Sequence, residues 1–106
     1  MNGINIETLR VFCCDNKIKW TLHAIKRMRN RKISSDDVIN AVLTGEIIEQ
    51  YQEDKYFPSC LIFNNNYTAP LHTVVSNDEQ NMYIITAYYP TLNEWKSDYK
   101  TRKEKE

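Results

Sequence analysis

Hydrophobic residues change their spacing at Glu46, and this change constrains the fold more than any other feature of the sequence. Before Glu46, apolar residues recur every three or four positions, as they do on amphipathic helices. After Glu46, short runs rich in β-branched and aromatic residues alternate with polar turns, as they do in strands. Helices followed by strands predict an α+β fold in which N-terminal helices pack on one face of a twisted antiparallel sheet.

Three helices are predicted before this change. The first covers residues 5–14, and residues 15–19 form a polar linker. The second covers residues 21–31, with its first residue as the N-cap. The third covers residues 34–44, where serine can cap the start, two aspartates suit the positive end of the helix dipole, and Gly45 ends the helix.

Four strands are predicted after the change, and together they form an antiparallel meander: residues 46–52, 59–64, 71–76 and 82–89. Residues 64–66 and 77–81 are rich in Asn and Asp, which tolerate unusual backbone angles and indicate hairpin loops. Leu92, Trp95 and Tyr99 recur at helical spacing and predict a short C-terminal helix. The charged residues 100–106 are expected to form a frayed tail.

The chain length and composition indicate a single domain over residues 1–106, with residues 1–19 as an extra helix and linker. Three cysteines, two of them adjacent, fit neither a disulfide framework nor a zinc-binding pattern, and they suit a reducing compartment. We find no signal peptide and no apolar run long enough for a membrane span. We therefore expect a cytoplasmic protein that does not contact a membrane.

Positive charge is concentrated in residues 17–32, which hold seven of the fourteen basic residues and no acidic residue. The whole chain has a formal net charge of zero, so its surface is polarised. On a helical projection, one arc of the second helix carries the polar residues, which are His23, Lys26, Arg27, Asn30 and Arg31. The opposite arc carries Leu22, Ala24, Ile25 and Met28. The polar arc is a surface for RNA, a surface for a protein partner, or a solvated face.

Four polar residues stand out as candidates for chemistry: His23, Arg27, His72 and Tyr88. On the third strand, His72 and Val74 share one face, and Leu71, Thr73 and Val75 share the other. On the fourth strand, alternation places Thr86, Tyr88 and Ile84 on one face. If His72 and Tyr88 point to the same side of the sheet as the basic face of the second helix, the four groups surround a cleft.

These residue types suit RNA cleavage by attack of the 2′-hydroxyl on the adjacent phosphate. Histidine can act as base or acid near neutral pH, and arginine offers a fixed fork of donors to phosphate oxygens. Lys26 and Arg31 would attract the RNA backbone without reading its sequence. The alternatives are a structural strand histidine, a solvated helix face and a packed tyrosine. A metal site is not expected, because no carboxylate has a convincing ligand spacing beside either histidine.

An ordered series of short motifs resembles the bacterial domain of unknown function 4258. The series consists of HAxxRMxxRxIS from His23, DV from Asp37, GEIIExY from Gly45, PSxL from Pro58, PLH from Pro70 and ITxYxP from Ile85, followed by Trp95. The resemblance covers roughly residues 20–102. The sequence departs from the family pattern at Lys32, where a small residue, often glycine, is expected.

The resemblance implies similarity to the RelE-like and BrnT-like toxins, whose fold sets N-terminal helices against a twisted antiparallel sheet. The implied protein is the toxin of a type II toxin–antitoxin pair that cleaves RNA without a metal or other cofactor, ribosome-bound message being one form of substrate. Its implied partner is a protein antitoxin, in some relatives a small zinc-finger protein. Carried over by motif position, the catalytic candidates are His23, Arg27, His72 and Tyr88, with Arg31, Tyr51, Ser59 and Thr86 around them. The alternative is a non-enzymatic RNA- or protein-binding module of the same fold.

Overall fold

The computed structural model describes residues 3–53, 57–65 and 69–104, and the chain is an α+β protein, as predicted. The described residues form three helices, which are α1 (Ile6–Cys14), α2 (Leu22–Arg31) and α3 (Ser35–Thr44). They also form five strands, which are β1 (Ile18–Trp20), β2 (Glu46–Tyr51), β3 (Ser59–Asn65), β4 (Pro70–Asn77) and β5 (Met82–Tyr88). The first residues of the predicted loop at 64–66 belong to β3, and residue 66 lies outside the described residues.

The sheet has the strand order β1-β5-β4-β3-β2, so the predicted four-stranded antiparallel sheet is wrong in two respects. A fifth strand, β1, lies where a polar linker was expected, and it pairs in parallel with Met82–Ile84 of β5. The backbone N–H of Met82 donates to the carbonyl of Lys17, which extends this pairing by one bond. Three residues are too few to show a strand period, so only the pairing with a distant segment reveals β1.

The ends of the helices follow from local chemistry. The side chains of Asn5, Thr21 and Ser34 accept backbone N–H bonds at the starts of α1, α2 and α3. Lys32 ends α2 with φ 58°, a left-handed conformation that glycine adopts more easily, which accounts for the small residue expected there. Gly45 ends α3 with φ −89°, and it is needed for space, because a Cβ would lie 2.4 Å from the Ala41 carbonyl oxygen.

The hydrophobic core lies between the three helices and one face of the sheet. Its buried helix residues are Leu9, Ala24, Met28, Val38, Ala41 and Val42, and its buried strand residues are Cys60, Ile62, Leu71, Val75, Met82, Ile84 and Ala87. Two residues of the apolar arc of α2, Leu22 and Ile25, are exposed and do not join Ala24 and Met28 in the core.

Strand β5 carries a register shift that changes which of its side chains share a face. Val74 pairs with Thr86, whereas the next residue, Val75, pairs with Ile84, so Ile85 is an extra residue in β5. This bulge places Ile84 in the core and turns Thr86 and Tyr88 to the opposite face. The prediction that all three share a face is therefore wrong, because simple alternation cannot anticipate an inserted residue.

The predicted C-terminal helix is also wrong. Residues 91–104, here called the C-terminal segment, form turns and one isolated antiparallel bridge between Trp95 and Arg102. The carboxylate of Asp98 accepts the backbone N–H groups of Lys100 and Thr101, and Tyr99 has φ 58°, so local hydrogen bonds replace a helical ladder. Of the apolar residues that suggested a helix, Trp95 is buried but Leu92 is exposed.

None of the helices in the described part of the chain combines the length and the apolar character that a membrane span requires.

Candidate functional site

The face of the sheet that points away from the helices carries most of the polar candidates. Phe63, His72 and Tyr88 are register partners on neighbouring strands, and so are Leu61, Val74 and Thr86. Paired residues in an antiparallel sheet point to the same side, and none of these six belongs to the core that faces the helices. Register also adds three residues of β2 and one of β3, which are Glu46, Glu49, Tyr51 and Ser59. We call this surface the outer face.

His72 is fully buried on the outer face, and both of its ring nitrogens have partners. Its Nε2 lies 2.7 Å from the carbonyl oxygen of Tyr99, and its Nδ1 lies 3.2 Å from the hydroxyl oxygen of Tyr88. The ring of Trp95 meets the imidazole edge to face at 4.6 Å, and Phe63 meets it at 6.0 Å. The imidazole therefore lies between the sheet and the C-terminal segment.

These partners assign the proton on the imidazole. A carbonyl oxygen can only accept, so Nε2 carries the hydrogen and donates it to Tyr99. Burial lowers the pKa of His72 below its usual value of 6.5, outweighing the opposing effects of the Tyr99 carbonyl and of Glu49, and this favours the neutral ring. In the neutral ring Nδ1 is an acceptor, so the Tyr88 hydroxyl donates to it.

Tyr88 is half-buried and is the member of this pair that reaches solvent. Burial raises the pKa of its hydroxyl, Glu49 and Glu94 add to this rise, and Arg102 and Arg31 oppose it without offsetting it. The hydroxyl therefore stays protonated, and because it already donates to Nδ1 of the buried imidazole, it can pass its proton to His72. The pair is therefore suited to proton transfer with a group that approaches from solvent.

A second polar group lies on the outer face at the end of β2. The guanidinium of Arg102 binds the carboxylate of Glu49 through Nε at 2.8 Å and Nη2 at 3.1 Å. The Tyr51 hydroxyl donates to the same carboxylate. Burial raises the pKa of Glu49, but the hydrogen bonds from Arg102 and Tyr51 outweigh it and lower the pKa overall. Glu49 is therefore an anion that is held by two donors.

The candidates on α2 lie elsewhere. His23, Lys26 and Arg27 are exposed, while Ala24 and Met28 of the same helix face the core. Arg31 is the α2 candidate that reaches the sheet, where its Nη1 donates to the Ala87 carbonyl at 3.0 Å. Within the described residues, no hydrogen bond or ion pair links His23 or Arg27 to His72 or Tyr88. The four groups thus do not surround one cleft, because the outer face points away from α2.

The structure brings together five of the nine residues singled out from the sequence, which are Tyr51, Ser59, His72, Thr86 and Tyr88. Four further groups of this face were not predicted from the sequence, which are Glu49, Trp95, Arg102 and the carbonyl of Tyr99. Glu49 could have been recognised as a site residue, because it is an acidic residue inside a run of β-branched residues. The signal for Arg102 was weak, since a cation in a charged tail is usually solvated.

The described residues, 3–53, 57–65 and 69–104, contain no group of three His, Cys, Asp or Glu side chains arranged to hold a metal ion. In this part of the chain, His72 and Tyr88 form a hydrogen-bonded pair that can exchange a proton, and Arg102 binds both carboxylate oxygens of Glu49.

Comparison with protein families gives one match, to Domain of unknown function (DUF4258), over residues 20–89. This span covers about two thirds of the chain. The chain belongs to the DUF4258 family. No curated protein and no solved structure matches the chain.

The DUF4258 match includes α2, α3 and strands β2 to β5, and with them all nine residues predicted from the sequence. It ends at Tyr89, so Trp95, Tyr99 and Arg102 lie beyond the matched span. The outer face of this DUF4258 domain is therefore completed by residues outside the family match.

Proposed function

We propose that this DUF4258 protein is a metal-independent endoribonuclease and the toxin of a type II toxin–antitoxin pair, acting in the cytoplasm. The observation that carries the proposal is the hydrogen bond from the half-buried Tyr88 to the buried, neutral His72. It supplies an acid–base pair on the outer face beside Arg102, and Arg31 of α2 reaches the sheet at Ala87, close enough to act on the pKa of Tyr88. The assignment to a RelE-like or BrnT-like fold is part of the same proposal, supported by helices on one face of the sheet and titratable groups on the other.

The proposed reaction needs one proton acceptor, one proton donor and a cation. The 2′-oxygen of the RNA forms a bond to phosphorus while its proton passes to the Tyr88 oxygen, and the Tyr88 proton moves to Nδ1 of His72. The bond from phosphorus to the 5′-oxygen breaks, and the same pair returns the proton to that oxygen. The products are a 2′,3′-cyclic phosphate and a 5′-hydroxyl. Arg31 and Arg102 offset the charge that grows on the phosphoryl oxygens.

The exposed cations of α2 have a separate role in this proposal. Lys26, Arg27 and their neighbours in residues 17–32 attract the RNA backbone, and none of the seven cations is paired with a carboxylate within the described residues. His23 remains a second candidate acid or base from this surface. Thr86 lies beside the pair on the outer face as a substrate contact, and Ser59, which is buried next to Tyr51 at the other end of β3, is a more distant candidate. The proposed partners are RNA, including ribosome-bound message, and a protein antitoxin, for which a small zinc-finger protein is one candidate.

Expression in bacteria tests the proposal. We expect the wild type to stop growth and degrade RNA, and Tyr88→Phe to lower the cleavage rate about 10²–10⁴-fold, since this variant keeps the ring and removes the transferable proton. Tyr89→Phe is the matched control, because Tyr89 is the exposed neighbour. A toxic Tyr88→Phe variant that cleaves RNA at the wild-type rate would contradict the proposed role.

A non-enzymatic binding module is the second candidate. It is favoured by the full burial of His72, whose two satisfied nitrogens can serve simply to attach the C-terminal segment to the sheet. In that case the wild type would be harmless and would still bind RNA with a strong dependence on salt, through the cations of α2. A His72→Gln variant would then lose stability and keep its RNA affinity.

A further inference from the structure

Arg102 holds its partner in the geometry that arginine uses for phosphate. Two of its nitrogens bind the two carboxylate oxygens of Glu49, and the same fork of donors fits two oxygens of a phosphate. The side chain of Arg102 is 54% exposed, and that of Glu49 is 22% exposed. The arginine is therefore the member of the pair that an incoming anion meets first.

The position of the guanidinium does not depend on Glu49 alone. The guanidinium of Arg102 lies over the ring of Trp95 at 4.5 Å, and Trp95 is itself buried against His72. The backbone pairing of Trp95 with Arg102 holds the two residues together. If Glu49 lost its charge, these contacts would keep Arg102 near its present place, with the hydroxyl of Tyr51 beside it.

We propose that Arg102 and Tyr51 form a phosphate-binding site for a single-stranded nucleic acid, and that the carboxylate of Glu49 fills this site in the unbound protein. The proposal rests on the proposed function, in which the outer face binds RNA, and it adds the residues that bind a phosphate there. A strand whose phosphate is bound at Arg102 lies next to Trp95, which packs on His72, so it would pass close to Tyr88.

The neighbouring ion pair of the C-terminal segment lacks this geometry. A second cation of the C-terminal segment, Lys100, lies 5.5 Å above the ring of Phe63 and pairs with Glu46 at 2.8 Å. Each acidic residue of β2 on this face is thus paired with one cation of the C-terminal segment. Lys100 presents a point charge rather than a fork of donors, so Arg102 is the cation of this segment whose geometry fits a phosphate.

Two variants distinguish a phosphate-binding site from an ion pair that only attaches the C-terminal segment. For a phosphate-binding site, the two variants should change the affinity for nucleic acid in opposite directions. If the Arg102–Glu49 pair only fastens the C-terminal segment, then Arg102→Gln and Glu49→Gln break the same bond and have the same effect. If Arg102 binds phosphate and Glu49 competes for it, Arg102→Gln weakens nucleic-acid binding and Glu49→Gln strengthens it. Lys100→Gln is the matched control, since it removes one positive charge from the same segment and breaks the neighbouring ion pair.

The experiment is fluorescence anisotropy with a 2′-O-methyl RNA of about twelve nucleotides, which lacks the attacking hydroxyl and so measures binding without cleavage. We expect Arg102→Gln to bind about tenfold more weakly. We expect it to lower the slope of log K against log salt by about 0.7, the value for one phosphate contact on a single strand. Arg102→Lys keeps the charge without the fork and should lie between Arg102→Gln and the wild type. Glu49→Gln should bind more tightly than the wild type.

Weaker binding by Glu49→Gln that parallels Arg102→Gln would overturn the proposal, and so would equal loss in Lys100→Gln or no binding by the wild type. Near-UV circular dichroism of each variant, which reports the packing of Trp95, identifies any loss that comes from an opened segment. The result is separable from the proposed function. Opposite signs in a protein that does not cleave RNA would support the phosphate site and reject the nuclease.

Discussion

The two faces of the sheet are covered through different kinds of contact. On the side of α1, α2 and α3, buried aliphatic side chains from three helices fill the space, and the contact is spread over the whole face. On the outer face, the C-terminal segment is attached through Trp95, the bond from His72 to Tyr99, and two ion pairs. Dispersed apolar contacts stabilise the fold as a unit, whereas a few directional contacts can open one segment without unfolding the rest.

This difference suits the two faces to different tasks. A face that is covered by helices cannot admit a substrate without loss of the core. The outer face keeps its titratable groups beneath a short segment whose residues are mostly exposed, apart from Trp95. The proposed site is therefore on the side of the molecule where small movements are least costly.

The largest loss of stability is expected from a cavity in the core between the helices and the sheet. Ile84 is fully buried there, and Ile84→Ala should lower the free energy of unfolding by about 2–5 kcal/mol, through lost burial and an unfilled cavity. Val74→Ala, on the half-buried part of the outer face, is the control and should have a smaller effect. Urea denaturation measures both values. Equal losses would show that the two faces contribute alike and would break the comparison.

A smaller global effect is expected from removal of the one buried aromatic side chain of the C-terminal segment. Trp95→Ala should lower the free energy of unfolding by less than Ile84→Ala, because the cost is limited by the local opening of the segment. Hydrogen exchange should accelerate at the amides of Lys96 and Lys103, which bond within the segment. Amides of β3 and β4 should remain protected. Acceleration throughout the sheet would mean that Trp95 belongs to the cooperative core.

The smallest expected effect is the dependence of the stability on pH. Burial lowers the pKa of His72 in the folded state, so below about 6.5 the unfolded chain binds more protons than the folded chain. Stability should therefore decrease as the pH falls from 7.5 to 5.5. The charged groups that face His72 are Glu49, whose lowered pKa keeps it ionised in this range, and Arg102. Tyr88 also faces the imidazole, and its raised pKa keeps it neutral.

Chemical denaturation at the two pH values checks this sign, with His72→Gln expected to reduce the difference. His23→Gln serves as the matched control, because His23 is exposed on α2. If the difference in stability between the two pH values persists in His72→Gln and disappears in His23→Gln, the titrating residue is on α2 and the prediction is wrong.

The sequence predicted what depends on local pattern. Caps at Thr21 and Ser34 and the period change at Glu46 identified α2, α3 and the start of the sheet, because each signal lies within a few residues of the feature it specifies. The predictions that were wrong concern features that depend on pairing between strands far apart in the sequence. β1 exists through β5, about sixty residues away in the chain, and the bulge at Ile85 inverts a face that alternation had assigned.

The candidate site was predictable to a similar extent. His72 and Tyr88 stood out as polar residues in apolar runs, and pairing of their strands brings them together. Arg102 could not be found in this way, because its partner Glu49 is 53 residues away and its supporting ring, Trp95, lies in a segment whose spacing imitated a helix. Side-chain pairing across such distances has no sequence period to reveal it.

The most direct test of the central claim is the chemistry of the RNA ends produced by the purified protein. If the outer face performs the proposed reaction, the wild type leaves 2′,3′-cyclic phosphate and 5′-hydroxyl ends, cleavage persists in a metal chelator, and both are lost in Tyr88→Phe but not in Tyr89→Phe. Ends that carry 5′-phosphate and 3′-hydroxyl groups, or cleavage that survives in Tyr88→Phe, would contradict the account.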